Sequence, residues 1–335
     1  MNRPTSPSGA GPGRRAVLAS LASLPALATG AQAQRAFPER PIRLVVPYGP
    51  GTATEVFARQ IVANMQAILG QPVVVENRAG ASGIPGTDAA ARAAPDGYTL
   101  LFANDQIMCL NPALFQRLPF NLTRDFAPVA GIATMEYVMV ATPGLPVRSV
   151  ADVVALAKAR PGHLTFAATG VGTASHLIGE VFARDAGIEL TFVPYSTGAT
   201  QLFADLFTGT VSMMFYPWQF VKPHVEAGRL RALATAGRQR TEWLPDLPTL
   251  SELGYSRSVT GTWFAIYAPT GTPEDRIARL SDAFRQALQP AELRASLAAV
   301  GTRLNYLPPP ELATFTTTEM ARCRASVELS GAKVE

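Results

Sequence analysis

The chain has 335 residues, of which 47% are hydrophobic and 16% charged, with 27 glycines and 28 prolines. That balance excludes a disordered or solvating chain, and at roughly 150 residues per domain it fits two domains or one large α/β body. The net charge of +4 is concentrated at the start: residues 1–33 carry Arg3, Arg14 and Arg15 and no acid, and beyond them 26 basic residues face 25 acidic ones. No Lys/Arg run remains to follow a phosphate backbone, which excludes nucleic acid as a partner.

Arg14-Arg15, the apolar run 16–28 and Ala31-Gln32-Ala33 have the layout of a cleaved export signal. The apolar run is shorter than the roughly 20 residues a membrane span needs. Cleavage after Ala33 predicts a soluble, periplasmic chain beginning at Gln34. The paired arginines leave both the Tat and the Sec route open.

Ile42–Val46 is a short β-branched apolar run and reads as a strand. Residues 54–69 read as one helix, with Phe57, Ile61, Met65 and Ile68 at helical spacing and Gly70 as its stop. Strand 73–75, an Ala-rich helix 87–94 ended by Pro95, and strand 98–102 follow. A second set opens with a strand at 137–140 and helix 149–159, for which Ser149 and Asp152 form a cap pair. Strand 164–167, helix Ala174–Ala186 closed by Gly187, strand 190–193 and helix 199–207 come next, then strand 211–215, helix 217–226 and strand 230–235. The chain returns with strand 263–267, helices 273–288 (Pro273 at its first position) and 292–299, and a last helix over 310–330. The pattern predicts an α/β fold of two lobes, each a mostly parallel sheet flanked by helices. Residues 34–137 and 261–335 form the first lobe and 138–260 the second, after the signal peptide 1–33. Crossings near Tyr137 and Gly261 allow hinge closure.

Ligands of open α/β sheets sit beyond the carboxyl ends of the strands. Five loops there share one chemistry: Tyr48-Gly49-Pro50-Gly51-Thr52, Gly80-Ala81-Ser82-Gly83-Ile84-Pro85-Gly86, Asn104-Asp105, Thr169-Gly170-Val171-Gly172-Thr173 and Tyr195-Ser196-Thr197-Gly198. Taken singly, each is a turn with an N-cap. Taken together they point to main-chain N–H groups converging as a carboxylate site, with no Arg or Lys inside any of them. Glu55 stands at capping-box spacing from Thr52, so a cap and a ligand contact are both open for it. His176 beside Ser175 suggests a base next to a nucleophile, yet adjacent helical residues point apart, which favours capping or packing. Tyr48, Tyr216, Trp218 and Trp263 are candidates for an aromatic wall as well as for packing. There is no G-x-S-x-G elbow, Walker A motif, H-E-x-x-H or C-x-x-C. Cys109 and Cys323 are the only cysteines, and the sequence leaves open whether they pair.

Pro47-Tyr48-Gly49-Pro50-Gly51, followed by Glu55 and Ala58-Arg59, resembles the P-F/Y-x-P-G-G-x-x-D-x-x-A-R stretch of Bug-type receptors, the periplasmic substrate-binding proteins of tripartite tricarboxylate transporters. The likeness continues through residues 70–78 and 94–100, Asn111-Pro112, Ser175-His176-Leu177, Val193-Pro194-Tyr195, Leu247-Pro248-Thr249, residues 268–273 and the closing 330–335. It covers essentially the whole mature chain. The resemblance implies a type II, Venus-flytrap periplasmic binding protein, a monomeric receptor without enzyme activity, metal or cofactor. Such a receptor holds a small organic anion, a carboxylate or its relative, in the interlobe cleft and delivers it to membrane permease subunits. By position, the implied ligand-binding residues are Tyr48, Gly51, Thr52, Ala81, Ser82, Gly83, Ile84, Gly86, Asn104 and Asp105 on the first lobe, with Glu55 where the family has Asp. On the second lobe they are Thr169, Gly170, Gly172, Thr173, Ser175, Thr197 and Gly198, with Tyr216 in place of a common aspartate. Thr52, Ser82, Ile84 and Pro85 depart from the family's loop patterns and imply a smaller or more apolar pocket. A secreted, esterase-like α/β hydrolase and a sensor-coupled receptor without a transport role are the alternatives.

Overall fold

Among the described residues the strands form two sheets. The computed structural model describes residues 37–195, 199–237, 239–257 and 261–332; the predicted export signal and the predicted ligand residues Thr197 and Gly198 lie outside them. The strands are β1 (Ile42–Val46), β2 (Val73–Asn77), β3 (Thr99–Asn104), β4 (Phe126–Met135), β5 (Tyr137–Ala141), β6 (Thr165–Ala168), β7 (Thr191–Pro194), β8 (Met213–Pro217), β9 (Arg231–Thr235), β10 (Thr262–Pro269) and β11 (Thr302–Leu307). The first sheet runs β11-β4-β10-β3-β1-β2 and the second β7-β6-β8-β5-β9.

Parallel pairing holds on only one side of each sheet. β1 is parallel to β2 and β3, and β6 to β7 and β8. The strands at the crossings between sheets pair antiparallel, β10 with β3 and β4 and β5 with β8 and β9, and β11, which follows β10 within the same sheet, is also antiparallel to β4. The sheets are therefore mixed rather than mostly parallel, because a strand arriving directly from the other lobe has no crossover helix to reverse its direction.

The crossings are tight. Only Glu136 separates β4 from β5. The second crossing, at Gly261, lies against the first: a Cβ there would stand 2.4 Å from the Met135 carbonyl oxygen, and its φ of +132° suits glycine. The Tyr137 and Thr262 hydroxyls share a hydrogen bond of 3.1 Å across the two crossing strands.

Strands β4 and β11 are not legible from local sequence. Pro128 and Gly131 argue against a strand, and a proline in a central strand removes a ladder donor. The structure accommodates Pro128 because β11 pairs with β4 only from Met135 to Gly131, and a register irregularity separates Tyr267 from Ile266 on the β10 side. Gly131 admits the Leu307 side chain, which would stand 2.8 Å from a Cβ.

The longer helices follow their local signals, but the Ala-rich helix expected over 87–94 runs Ile84–Ala91 and ends at Arg92, before Pro95. The predicted helix 54–69 is two helices, Ala53–Val62 and Met65–Leu69, parted where Asn64 leaves helical geometry at φ −97°, ψ 0°. Gly70 caps the second in the left-handed region. Ser149 and Asp152 form the reciprocal capping box, and Gly187 closes Ala174–Ala186. Pro273 is the N-cap of Glu274–Ala287 rather than its first helical residue. Buried Phe57 sits edge-on to Phe102 and Phe264, fixing helix Ala53–Val62 on the first sheet. Gly179 lets helix Ala174–Ala186 close on Phe166 of β6, whose ring would lie 2.3 Å from a Cβ. The last helix, Pro309–Ser330, lies against β4, the π-helical turn Gln106–Leu110 and helix Ala174–Ala186, and the Arg184 guanidinium donates to the Ser330 carbonyl at 3.2 Å. Cys109 and Cys323 are both buried free thiols, and burial pushes the Cys109 thiol up.

Candidate functional site

A cleft of about 320 Å³ opens at the carboxyl ends of β1, β3, β6 and β8. The first sheet and its loops contribute Tyr48, Thr54, Ser82, Asn104, Asp105, Gln106 and Thr262 to its wall. The second contributes Tyr137, Thr169, Val171, Thr173, Ala174, Ser175, Tyr216 and Pro217. None of these is Arg, Lys or His. A larger hollow, about 660 Å³, lies between helix Glu274–Ala287 and the start of the last helix, but it is mainly apolar and holds none of the five loops.

The first loop places one side chain in the cleft. Tyr48 donates its hydroxyl to Asn104 Oδ1 at 3.0 Å, and its carbonyl accepts from Asn77 Nδ2 at 2.9 Å. Burial pushes its phenol up, so the ring remains a neutral donor. Gly51, Thr52 and Glu55 do not line the cleft. The Thr52 hydroxyl caps helix Ala53–Val62, accepting from the Glu55 amide at 3.4 Å and donating to the Gly49 carbonyl at 2.9 Å. The buried Glu55 carboxylate accepts from the Gly51 amide at 3.2 Å and is hydrogen-bonded to Arg59, which holds the carboxyl below its usual range. Glu55 thus fastens the loop through the Gly51 amide, one residue before the N-cap, rather than closing a capping box on Thr52.

The second loop is an unusual turn. Ser82 has φ +52°, the only positive φ of a non-glycine among the described residues, and Gly83 follows at +73°. The turn is fastened from below: Asn111 Nδ2 donates to the Ser82 carbonyl at 2.8 Å, while Asn111 Oδ1 accepts from Gln106 at 3.0 Å. Gly83 and Gly86 pack against Pro47, and a Cβ at Gly86 would stand 2.7 Å from the Arg78 carbonyl oxygen. Ser82 thus lines the cleft, while Gly83, Ile84 and Gly86 are absent from its wall; the Ala81 side chain lies outside what is described. Ser82→Gly relieves about 1–2 kcal/mol of left-handed strain and adds about 0.5–1 kcal/mol of unfolded-chain entropy. Equilibrium urea unfolding should therefore show the variant at least as stable as the parent; a loss above about 1 kcal/mol would mean the hydroxyl carries the turn.

Asn104 ends β3 and Asp105 enters the π-helical turn. Asn104 Oδ1 also accepts from the Ile107 amide at 3.2 Å, which seats the turn. Asp105 is 2% exposed, and its Oδ1 has no hydrogen-bond partner among the described residues. Burial pushes its carboxyl up to about 7, against hydrogen bonding from Thr262 and from the amides of Asp105 and Gln106.

On the second lobe the helix Ala174–Ala186 aims its N-terminus at the cleft. Thr173 is its N-cap, donating to the Gly170 carbonyl at 2.9 Å. Gly172, at φ +74°, donates its amide to His176 Nδ1 at 3.1 Å. His176 is buried, its ring centre lies 4.1 Å from that of Phe192, and burial lowers its pKa to about 4. It is a neutral acceptor holding the loop, not a base beside Ser175. Gly170 and Gly172 shape the loop without lining the cleft. The amides of Ala174 and Ser175, in the first turn, have no acceptor within the helix and are the ones left to face a ligand.

Of the aromatic candidates, Tyr48 and Tyr216 reach the wall. Trp218 packs on Gly301, and Trp263 packs edge-on to Phe315 at 5.2 Å. The wall residues missed in the sequence are Thr54, Gln106, Tyr137, Pro217 and Thr262, while Ala174 falls within the stretch 169–175 that the resemblance marks. Val171 sits within a recognised loop. The lobe crossings near Tyr137 and Gly261 were the signal for Tyr137 and Thr262.

A family model described as the tripartite tricarboxylate transporter family receptor matches residues 57–331. Protein BugT of Bordetella pertussis is 36% identical over 300 residues, 89% of this chain and 92% of that protein. An R. palustris protein solved with adipate aligns at TM-score 0.78 and 31% identity, covering 89% of this chain and 99% of that one. MatC from Rhodopseudomonas palustris, solved with bound malate, aligns at TM-score 0.74 and 31% identity, covering 87% and 100%.

Proposed function

The chain belongs to the tripartite tricarboxylate transporter receptor family, which is a family of periplasmic solute receptors, and from that premise we propose that its cleft binds a small organic carboxylate for delivery to tripartite tricarboxylate-type permease subunits. The observation that carries this reading is the wall itself: hydroxyls, the amide side chains of Asn104 and Gln106, and a helix start facing one cleft with no cationic side chain. An anion there is held by main-chain N–H groups, chiefly those of Ala174 and Ser175, and by the hydroxyls of Ser82 and Thr169, while the Tyr48 and Thr173 hydroxyls donate within the wall to Asn104 and to the Gly170 carbonyl. The adipate- and malate-bound structures support carboxylates as the ligand class. The reading includes export by a cleaved leader over residues 1–33, a monomeric receptor, and closure of two lobes about hinges near Tyr137 and Gly261.

Native mass spectrometry of the protein as purified, followed by calorimetry with adipate and malate, tests this. One carboxylate per chain is expected, binding in the micromolar range or tighter, about −8 kcal/mol. A panel of small carboxylates of which none binds would remove the reading.

A further inference from the structure

Asp105 does not fit a simple anion site. It is the one carboxylic acid among the described lining residues, it is 2% exposed, and its Oδ1 lacks a protein partner. The groups facing it supply no free cation. They are the Tyr48 phenol from the first loop, the Tyr137 phenol from β5, the Cys109 thiol from its own turn and the Glu319 carboxyl from the last helix. Glu319 is itself paired with Arg322. An ionised Asp105 would be a buried charge with no cation beside it, met only by the Thr262 hydroxyl and the Asp105 and Gln106 amides, and would repel a bound carboxylate.

We infer that Asp105 contacts the bound carboxylate as a neutral acid, donating its O–H to a ligand oxygen, so that binding draws a proton onto the protein. This rests on the carboxylate reading above. The proton comes from solvent onto one Asp105 oxygen and stays there until the ligand leaves; no covalent bond of the ligand changes. With the free carboxyl already pushed up to about 7, the arriving negative charge raises it further. The sign of the linkage identifies what faces Asp105. A carboxylate there takes up a proton, whereas a ligand ammonium would pair with the ionised form and release one.

Calorimetry with adipate and malate, repeated in buffers of different ionisation enthalpy from about pH 6 to about pH 9, reads the proton count. Uptake should rise toward one proton as pH rises, and affinity should fall up to about tenfold per unit above the free carboxyl's pKa. Infrared spectra of the complex at about pH 8 should show a protonated-carboxyl band that Asp105→Asn removes, and the variant's affinity should no longer follow pH over this range. A complex lacking that band, proton release on binding, or a pH slope that survives Asp105→Asn overturns the inference while leaving carboxylate binding intact. If no carboxylate binds, the functional reading falls, and this contact falls with it.

Discussion

Gly172→Val should weaken carboxylate binding by more than about a hundredfold, roughly 2.7 kcal/mol, while the protein remains folded. Gly172 holds φ at +74°, where an L-residue costs about 1–2 kcal/mol and a β-branched one more. Its amide donates to the buried His176 Nδ1 at 3.1 Å. A valine that escapes the strain by moving the loop leaves that nitrogen unpaired, at about 1–3 kcal/mol. Either way the N-terminus of helix Ala174–Ala186 loses its position against the cleft, and the Ala174 and Ser175 amides lose their aim. The packing of that helix on Phe166 and Phe215 is untouched. Thr173→Ala removes one hydroxyl and should cost only about 0.5–1.5 kcal/mol of binding. Calorimetry with adipate and malate on both variants decides: a Gly172→Val protein that binds within threefold of the parent would refute the main-chain clamp.

Asp105→Asn should stabilise the ligand-free protein at alkaline pH. The folded-state pKa, about 7, lies above the unfolded value of 3.8. Between those two values the folded chain holds the proton that the unfolded chain has lost. Stability therefore falls as pH rises through this window, by about 1.4 kcal/mol per unit at most and about 4 kcal/mol in all. The amide carries no charge and escapes this penalty. Urea unfolding at about pH 8 should show the variant more stable by up to about 4 kcal/mol, and at about pH 4 the two should nearly coincide. Glu136, also raised to about 7 by burial, keeps a similar slope in the variant, so the comparison rests on the difference between the two proteins. No gain at pH 8 would mean that the carboxyl ionises in the folded state without penalty.

Both effects arise from interactions that local sequence does not contain, and this marks the division between what was legible and what was not. Strand Ile42–Val46, helix Ala174–Ala186 with Thr173 and Gly187 at its ends, and the Ser149–Asp152 capping box are read directly from the chain. Each is decided by periodicity and by hydrogen bonds a few residues long. The glycine and hydroxyl loops at the strand ends are legible for the same reason, and so is the family resemblance they carry. Which loop residues face the cleft is not legible. The Gly51 amide is taken by Glu55 and the Gly172 amide by His176, so two glycines chosen as ligand donors build the loops instead. Tyr137 and Thr262 meet across 125 positions because the two lobe crossings lie side by side. Strand β4 exists despite Pro128 and Gly131 because β10 and β11 flank it. The raised pKa of Asp105 is likewise tertiary. Its sequence neighbours are unremarkable; burial within the fold raises it, and the Glu319 carboxyl of the last helix adds like-charge repulsion, effects that no local pattern encodes.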